Sequence, residues 1–194
     1  MAVFRNIIWE RHEKTLLLSH NGKMCMNMKP DDSLSTVADI AVSHHGKDEF
    51  PPAHTAEHVL NATMVRMFGC ERSRVNHVER KKSKCNYTLT ACPDEGQIQA
   101  VEDRVNEVLA RHLDVTCRRV PRTELPASID VSKLPADVGD TVRLVFVGDY
   151  DVCPCAGAHV TNTSQVGHFR ITSTSWNDAE NSFRIVFRLD LPEE

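Results

Sequence analysis

The sequence predicts an α+β fold in which helices pack on a largely antiparallel β-sheet. Two segments carry apolar residues at helical spacing, and several others alternate like strands. The two kinds of segment do not follow each other regularly, as they would in a doubly wound fold. A chain of 194 residues with 41% apolar content can bury one core. We therefore expect one domain over residues 49–194 and a short N-terminal extension, residues 1–48.

Both helices are predicted from apolar periodicity and from their boundary residues. The first begins at Pro51-Pro52 and ends before Gly69, with apolar residues recurring between positions 59 and 68. The second lies in "DEGQIQAVEDRVNEVLARHL", where the apolar face runs through residues 98–113.

The strands are predicted from alternation and from β-favouring residues. The segments are "NHVERKKSKCNYTLT", "DVTCRRVP", "TVRLVFVGDY", "QVGHFRITSTS" and "NSFRIVFRLDL". The last two meet through "WNDAEN", which predicts a hairpin. In the extension, Asn21-Gly22 predicts another, tighter hairpin turn.

Several features predict a soluble, cytoplasmic protein. No apolar run approaches the roughly 20 residues that cross a bilayer, and Arg5, Glu10 and Arg11 lie where a signal peptide would be apolar. The seven cysteines are odd in number and lack the regular spacing of small secreted domains. Reduced thiols are therefore favoured over a disulfide framework, and clustered cysteine and histidine then indicate a metal.

The charge pattern bears on nucleic-acid binding. A net charge of −4 disfavours generic nucleic-acid binding, which relies on a broadly positive surface. One segment, residues 66–84, is nevertheless rich in arginine and lysine. From the residues alone, this segment is either a solvated edge of strand and loop or a phosphate-binding surface.

Two separated motifs predict a zinc site. In "HTAEH", His54 and His58 lie one helical turn apart on the same face, although such a pair by itself is often only a surface feature or a buried pair. In "CPCAGAH", Cys155 and His159 supply a thiolate and an imidazole around small residues. Together they form a tetrahedral donor set suited to zinc. Cys153 and Cys155 could instead be a redox pair, but redox motifs usually have two intervening residues.

A metallopeptidase is an alternative interpretation of the first motif. "HTAEH" fits His-x-x-Glu-His, in which Glu57 would polarise a metal-bound water. In those enzymes the third ligand is a distant acid, whereas this chain offers Cys155 and His159. A thiolate ligand also weakens the Lewis acidity of the ion, which suits amide hydrolysis poorly.

The two motifs together resemble the editing domain of alanyl- and threonyl-tRNA synthetases and of freestanding alanyl-tRNA editing proteins. The resemblance rests on "HTAEH" and on "CAGAHVTNTSQVG" preceded by "VFVGDYD", and it spans about residues 52–189. It implies helices against an antiparallel sheet and hydrolysis of the ester that joins a wrong amino acid to tRNA. It also implies the metal ligands, which are His54, His58, Cys155 and His159.

The chain departs from the family pattern in the pocket. Residues 74–77, "RVNH", stand where alanyl editing domains have Gln-x-Gly-Ser, and residues 84–87, "KCNY", stand for Arg-Phe-Asp-Phe. Ala156 and Ala158 replace glycine and threonine. The resemblance therefore does not fix which amino acid is removed.

Further roles are expected around the metal. Four protein ligands make a closed zinc site, which is usually structural, so a catalytic ion would have to expand its coordination or have one loose ligand, His159 or Cys155. If the zinc only shapes the pocket, the water would be positioned by Glu57, Thr55, Asn76 or His77. Asp149 and Asp151 would orient ligand histidines or cap a turn, and Thr161, Asn162 and Thr163 would contact substrate or satisfy turn backbone. The phosphate contacts for the tRNA acceptor end would be Arg72, Arg74, Arg80, Lys81, Lys82 and Lys84.

The predicted function is a zinc-dependent trans-editing hydrolase that deacylates mischarged aminoacyl-tRNA, with Ser-tRNA(Ala) first and Gly-tRNA(Ala) second as substrates. A non-catalytic, zinc-stabilised tRNA-binding module and a metallopeptidase are the alternatives. The chain has no Gly-x-x-x-x-Gly-Lys-Ser/Thr loop and is too short to add an aminoacylation domain. Neither ATP nor a membrane is an expected partner.

Overall fold

The computed structural model describes residues 35–36, 50–73, 76–126, 129 and 140–191. They fall within a unit that spans Ser33–Glu194. The hairpin predicted around Asn21-Gly22 lies outside the described residues, as does most of the extension. Among the described helices, none is long and apolar enough to cross a membrane.

The described strands form two four-stranded antiparallel sheets. The first sheet has the order β1-β4-β5-β6, with β1 at Ser35–Thr36, β4 at Val115–Pro121, β5 at Thr141–Val147 and β6 at Asp151–Pro154. The second has the order β2-β3-β8-β7, with β2 at Asn76–His77, β3 at Ser83–Thr88, β7 at His168–Asn177 and β8 at Ser182–Asp190.

The α+β class is confirmed, and the sheet is divided in two. Strands β4, β5 and β6 pair consecutively, whereas β3 crosses over to pair with the β7–β8 hairpin. Residue alternation shows which side of a strand faces the core but not which strand lies beside it. The division into two sheets was therefore not visible in the pattern.

Helix α1, Pro51–Phe68, begins and ends where its boundary residues predict. Proline is favoured in the first turn because its missing N–H would have no partner there. At the other end, Gly69 adopts a left-handed conformation (φ 65°) and its N–H donates to the carbonyl of Val65 at 3.0 Å. The middle of the helix, from Ala53 to Met64, is buried almost throughout, whereas Met67 is exposed.

Helix α2, Glu95–Leu109, is amphipathic. Its N-terminus carries a capping box, in which the Asp94 side chain accepts from the N–H of Gln97 at 2.8 Å and the Gln97 side chain accepts in return at 3.0 Å. Val101 and Val105 are buried on its inner face. The helix thus covers α1 and one side of β7, with which it makes most of its contacts.

The core lies between the helices and both sheets. Its largest fully buried side chains include Tyr87 of β3, Phe169 of β7, Phe187 of β8 and Leu60 of α1. Because α1 is buried on nearly every side, polar residues on this helix also lie inside the protein. That placement brings the first predicted motif to the interior, beside the end of β6.

Candidate metal centre

The four predicted ligands come together in the structure. His54 and His58 project from α1, and Cys155 and His159 lie in the loop that follows β6. Each offers one donor atom, and the four atoms lie within 4.8 Å of one another. Cys155 Sγ is 3.4 Å from His54 Nε2 and 3.4 Å from His159 Nε2. A set of three imidazoles and one thiolate at these separations suits zinc.

Arg143 of β5 anchors the loop that carries two of these ligands. Its guanidinium Nη1 donates to the carbonyls of Cys155 at 2.7 Å and Gly157 at 2.9 Å. The N–H of Cys155 donates back to the Arg143 carbonyl at 3.1 Å. Arg143 is buried, and its Nε and Nη2 have no hydrogen-bond partner among the described residues. Its position inside the apolar run "TVRLVFV" was a signal that the sequence analysis did not use.

Each histidine is held at Nδ1. His54 Nδ1 lies 3.1 Å from the Ala158 carbonyl and donates to it. His159 Nδ1 lies 3.1 Å from Thr55 Oγ1, and His58 Nδ1 lies 3.4 Å from a carboxylate oxygen of Asp151. With Nδ1 occupied in this way, Nε2 of each ring remains as the metal donor. The residues present therefore fit a zinc ion.

The protonation states of two of the four residues, Cys155 and His159, suit metal binding. Burial alone would raise the pKa of the Cys155 thiol, but hydrogen bonds from His159 and His54 lower this pKa to about 2. Burial, chiefly, lowers the pKa of His159 to about 3. Cys155 is thus a thiolate and His159 a neutral imidazole, which are the forms that bind a metal. Burial would lower the pKa of His58, but the charge of Cys153 and the hydrogen bond with Asp151 raise it well above its ordinary value.

Thr55 lies behind the ligands and is fully buried. Besides facing His159, its hydroxyl oxygen accepts from the N–H of Val160 at 3.3 Å. It therefore fixes the imidazole and the adjoining backbone of the loop to α1. This position supports the ligand rather than reaching into open space as a water-positioning group would.

Arg72 pairs with Asp151 in the interior. The guanidinium donates to both carboxylate oxygens, at 2.6 and 3.0 Å. The Asp151 side chain is 5% exposed and that of Arg72 27%. Asp151 thus faces His58 on one side and Arg72 on the other. This position agrees with the predicted role of orienting a ligand histidine. Arg72, predicted to contact tRNA phosphate, instead points inward, because the buried carboxylate needs a counter-charge.

Glu57 is buried beside the ligands. One carboxylate oxygen, Oε1, accepts from the side-chain amides of Asn61 and Asn76, and the other, Oε2, lies 4.0 Å from His58 Nε2. Asn61 is held in turn because its Oδ1 accepts from the N–H of Ser73 at 2.9 Å. Asn61 lies four residues after Glu57 on the same helical face, a spacing that could have identified it.

Cys153 is close to the centre without belonging to the four-residue set. Its Sγ lies 3.6 Å from His58 Nδ1. Together with His58 and Asp151 it forms a second cluster of metal-ligand type, so His58 is common to both groups. Cys153 lies on β6, opposite Val145 of β5.

Other predicted residues lie away from the cluster. The structure does not bring His77 to the ligands: its ring is 54% exposed and pairs with Glu79 on the edge of the second sheet. Asp149 is also exposed and pairs with Arg111 at 2.6 Å. Thr163 and Asn162 satisfy backbone groups, since the Thr163 hydroxyl donates to the Leu109 carbonyl at 2.9 Å and Asn162 caps a short 3-10 helix.

The predicted tRNA contacts are mostly at the surface. Lys81, Lys82 and Lys84 are exposed, and the guanidinium of exposed Arg80 lies 5.3 Å from the centre of the Phe50 ring. Arg74 lies outside the described residues. Three lysines and one arginine therefore remain available to a ligand in or next to the β2–β3 connection.

Comparison with known proteins agrees with the motifs. The profile of the threonyl and alanyl tRNA synthetase second additional domain matches residues 142–186, which include Cys155 and His159. The resemblance predicted from the sequence is confirmed. An alanine-tRNA ligase of Methanococcus vannielii is 30% identical over 124 residues, or 62% of this chain and 14% of that protein. One from Clostridioides difficile is 30% identical over 121 residues, with the same two shares.

A third relative extends the match along this chain. The alanine-tRNA ligase of Streptococcus mutans is 27% identical over 145 residues, which cover 72% of this chain and 16% of the ligase. The chain thus spans about a seventh of the length of these relatives. The similarity is to one region of much larger enzymes.

Proposed function

We propose that the chain is a zinc-dependent hydrolase that deacylates mischarged aminoacyl-tRNA, with Ser-tRNA(Ala) as the first candidate substrate and Gly-tRNA(Ala) as the second. The observation that carries the proposal is the His54, His58, Cys155 and His159 cluster, of which Cys155 and His159 lie in the stretch that is similar to the second additional domain of threonyl- and alanyl-tRNA synthetases. The relatives are alanine-tRNA ligases, which supports alanine tRNA as the nucleic acid. Charged tRNA is used in the cytoplasm, where the activity would operate.

Hydrolysis of an aminoacyl ester makes smaller catalytic demands on the site than hydrolysis of a peptide would. An aminoacyl ester is more reactive than a peptide, so its hydrolysis needs a positioned water and a stabilised oxyanion more than a strong nucleophile. Zinc held by the four ligands would supply Lewis acidity or an anchor for the substrate's amino group by expanding its coordination to a fifth ligand. No ATP is consumed in ester hydrolysis, so none is expected as a partner.

Glu57 is the residue that we assign to proton transfer. Its Oε1 is occupied by the amides of Asn61 and Asn76, which leaves Oε2 directed toward the ligand cluster, 4.0 Å from His58 Nε2. A carboxylate held in this way can orient a water and accept its proton. Asn76 of β2 holds Glu57 in place, whereas His77 pairs with Glu79 away from the ligands. Thr55 serves as a positioning residue through His159.

A non-catalytic tRNA-binding module is the second candidate. It is favoured by the closeness of the four donors, which would complete a tetrahedral zinc ion and leave no position for substrate. In that case the zinc would stabilise the fold, and the exposed cations Arg80, Lys81, Lys82 and Lys84 would bind RNA without hydrolysis.

One experiment separates the candidates. The purified protein is incubated with Ser-tRNA(Ala), Gly-tRNA(Ala), Ser-tRNA(Thr) and Ala-tRNA(Ala), with and without a chelator, and release of the amino acid is followed. We expect deacylation of a mischarged alanine tRNA, its loss in Glu57→Gln and in the double variant His54→Ala, His58→Ala, and sparing of Ala-tRNA(Ala). Glu107→Gln, at an exposed glutamate of α2, is the matched control.

Three outcomes would count against the proposal. Hydrolysis of no mischarged tRNA, with tRNA binding retained, would establish the module instead. Cleavage of a peptide substrate that depends on Glu57 would favour the metallopeptidase. Zinc content well below one ion per folded chain, measured by elemental analysis, would exclude the zinc-dependent mechanism.

A further inference from the structure

The outer face of the second sheet is basic, and we propose that it binds the phosphate backbone of the double-stranded acceptor stem of tRNA. This face, which we call the sheet face, comprises the side chains of β2, β3, β8 and β7 that point away from the core. Its cations are Lys84, Arg170, Arg184 and Arg188, all exposed. The inference rests on the proposed function, since it names the surface that would hold the same substrate.

Strand register places these cations on one side. In β3, Ser83, Cys85 and Tyr87 are buried, so Lys84 between them points outward. Arg184 pairs in register with Asn86, and Arg188 pairs with Arg170, which puts their side chains on the same outer side. Only Lys84 among the four belongs to the basic segment recognised in the sequence.

The charge of the sheet face is opposite to that of the whole chain. The net charge of the protein is −4, yet on the four described strands these cations face a single carboxylate, Asp190. Asp190 is shared, at 3.0 Å from Arg170 and 3.6 Å from Arg188. Arg184 donates to the neutral amide of Asn86 at 3.0 Å and so keeps its full charge for a ligand. A cluster of this kind is suited to a polyanion.

The neighbouring loops show which end of the sheet face the polyanion would occupy. Ser83 pairs with Phe187, so the exposed cations at 80–82 enter the sheet beside Arg188. At the opposite end, Thr88 pairs with Ser182, next to the β7–β8 turn that contains the acidic residues 178 and 180. The described loop residues are therefore mainly positive at the first end, where three cations follow the single carboxylate of Glu79, and phosphate would be repelled at the other.

The side chains on the sheet face favour a duplex over a single strand. Single-stranded RNA is usually held by aromatic rings on which bases stack. Here the aromatic residues of these strands point inward: Tyr87 and Phe187 are buried, and Trp176 pairs with buried Phe183. Among the cations lie short polar residues such as Ser175. A surface that combines cationic side chains with neighbouring hydroxyl groups suits the phosphates and 2′-hydroxyls of A-form RNA.

Strand β2 connects the sheet face with the metal centre. The Asn76 amide reaches Glu57 beside the ligands, whereas His77, the next residue, points to the other side and pairs in register with Lys84. A duplex on the sheet face would therefore end at an edge strand whose Asn76 contacts Glu57, and Glu57 lies 4.0 Å from His58 of the ligand cluster. The single-stranded acceptor end would pass over this edge to the metal.

The test uses the double variant Arg184→Gln, Arg188→Gln of the full chain and uncharged tRNA(Ala). When a protein binds a duplex, the logarithm of the affinity falls linearly with the logarithm of the salt concentration, and each phosphate contact adds about 0.9 to the steepness of this line. Each contact therefore strengthens binding by about eightfold when the salt concentration is lowered from 1 M to 0.1 M. We expect the slope to fall by about 1.8 and the affinity at 0.1 M salt by roughly 60-fold. Arg111→Gln is the control, because Arg111 lies outside the sheet face and, like Arg188, is paired with an exposed aspartate.

Deacylation separates this inference from the proposed function. Two substrates are compared: Ser-tRNA(Ala) and a short seryl ester that lacks the duplex. In the double variant, we expect kcat/KM for Ser-tRNA(Ala) to fall relative to kcat/KM for the short ester. The variant Arg184→Lys, Arg188→Lys should restore most of the ratio. Wild-type affinity and salt slope in the double variant, with the urea unfolding midpoint unchanged, would overturn the sheet-face proposal. Hydrolysis of no substrate by the wild type would overturn the proposed function, while the binding data would still decide the surface.

Discussion

Replacing Asp151 by asparagine should destabilise the protein and weaken metal binding together. The carboxylate lies between His58 Nδ1 at 3.4 Å and the guanidinium of Arg72 at 2.6 and 3.0 Å. Burial alone would raise the pKa of Asp151, but hydrogen bonds from His58 and Arg72 hold this pKa below its ordinary value. The substitution keeps the shape of the side chain, removes the charge and replaces one acceptor oxygen by an NH2 donor.

The magnitude follows from the exposure of the two partners. Removing one member of a fully buried ion pair costs about 3–5 kcal/mol, because the other charge is left uncompensated. The Asp151 side chain is 5% exposed and that of Arg72 27%, so Arg72 can regain some hydration. We therefore expect the free energy of unfolding of Asp151→Asn to fall by about 2–3 kcal/mol in the presence of a chelator. Loss of the partner of His58 should weaken zinc affinity by about 10- to 100-fold.

Asp149→Asn provides the matched control. Asp149 also pairs with an arginine at 2.6 Å, but its side chain is 74% exposed, so its loss should cost less than about 1 kcal/mol. Urea titration gives the free energies, and competition with a chromogenic chelator gives the zinc affinities. Because the pKa of Asp151 is depressed, its stabilisation is complete at neutral pH and is lost as the pH falls through that pKa. Two results would refute the reasoning. One is an equal loss of unfolding free energy in Asp151→Asn and Asp149→Asn, and the other is a difference in stability between Asp151→Asn and wild type that persists at acid pH.

Two further predictions concern the ligand loop and one glycine. Thr55→Val should lower zinc affinity about 10- to 100-fold, because it removes the partner of His159 Nδ1. Thr55→Ser keeps the hydroxyl and should stay within a few-fold of wild type in the same competition assay. Equal zinc affinities in the two variants would contradict this role of Thr55. Gly167→Ala should destabilise by more than about 2 kcal/mol in urea titration, because φ is 83° and an added Cβ would lie 2.8 Å from Leu191 Cα and against the Asp190 carbonyl. Gly69→Ala, with φ 65° and open space around it, should cost only about 1 kcal/mol; a similar loss at both glycines would show that the close approach is not what matters.

The grouping of the four candidate ligands was predictable because each pair is local in sequence. His54 and His58 are one helical turn apart, and Cys155 and His159 lie in one short loop, so spacing alone suggested donors for one ion. The boundaries of α1 were predictable for a similar reason, since Pro51-Pro52 and Gly69 act on the backbone directly. The structure then brings the two pairs within 4.8 Å.

The roles that depend on packing were not visible in the sequence. Arg72 lies in a basic segment, and only the fold shows that it is turned toward the buried carboxylate of Asp151. Asn76 and His77 are adjacent, and which of them reaches Glu57 depends on the register of β2 with β3. The cations Arg184 and Arg188 are isolated in the sequence by apolar neighbours and become a surface only when β3 and β7 lie beside β8.

The long separation between the two halves of the ligand cluster has a mechanical consequence. Cys155 lies 101 residues after His54 along the chain, so an ion bound to both would act as a cross-link that closes a loop of that size. By the chain-entropy relation for a covalent cross-link, closing a loop of about 100 residues is worth about 4.7 kcal/mol through restriction of the unfolded chain. The same ion would tie α1 to the end of the first sheet, so removing it should loosen the attachment of the helix before either sheet separates.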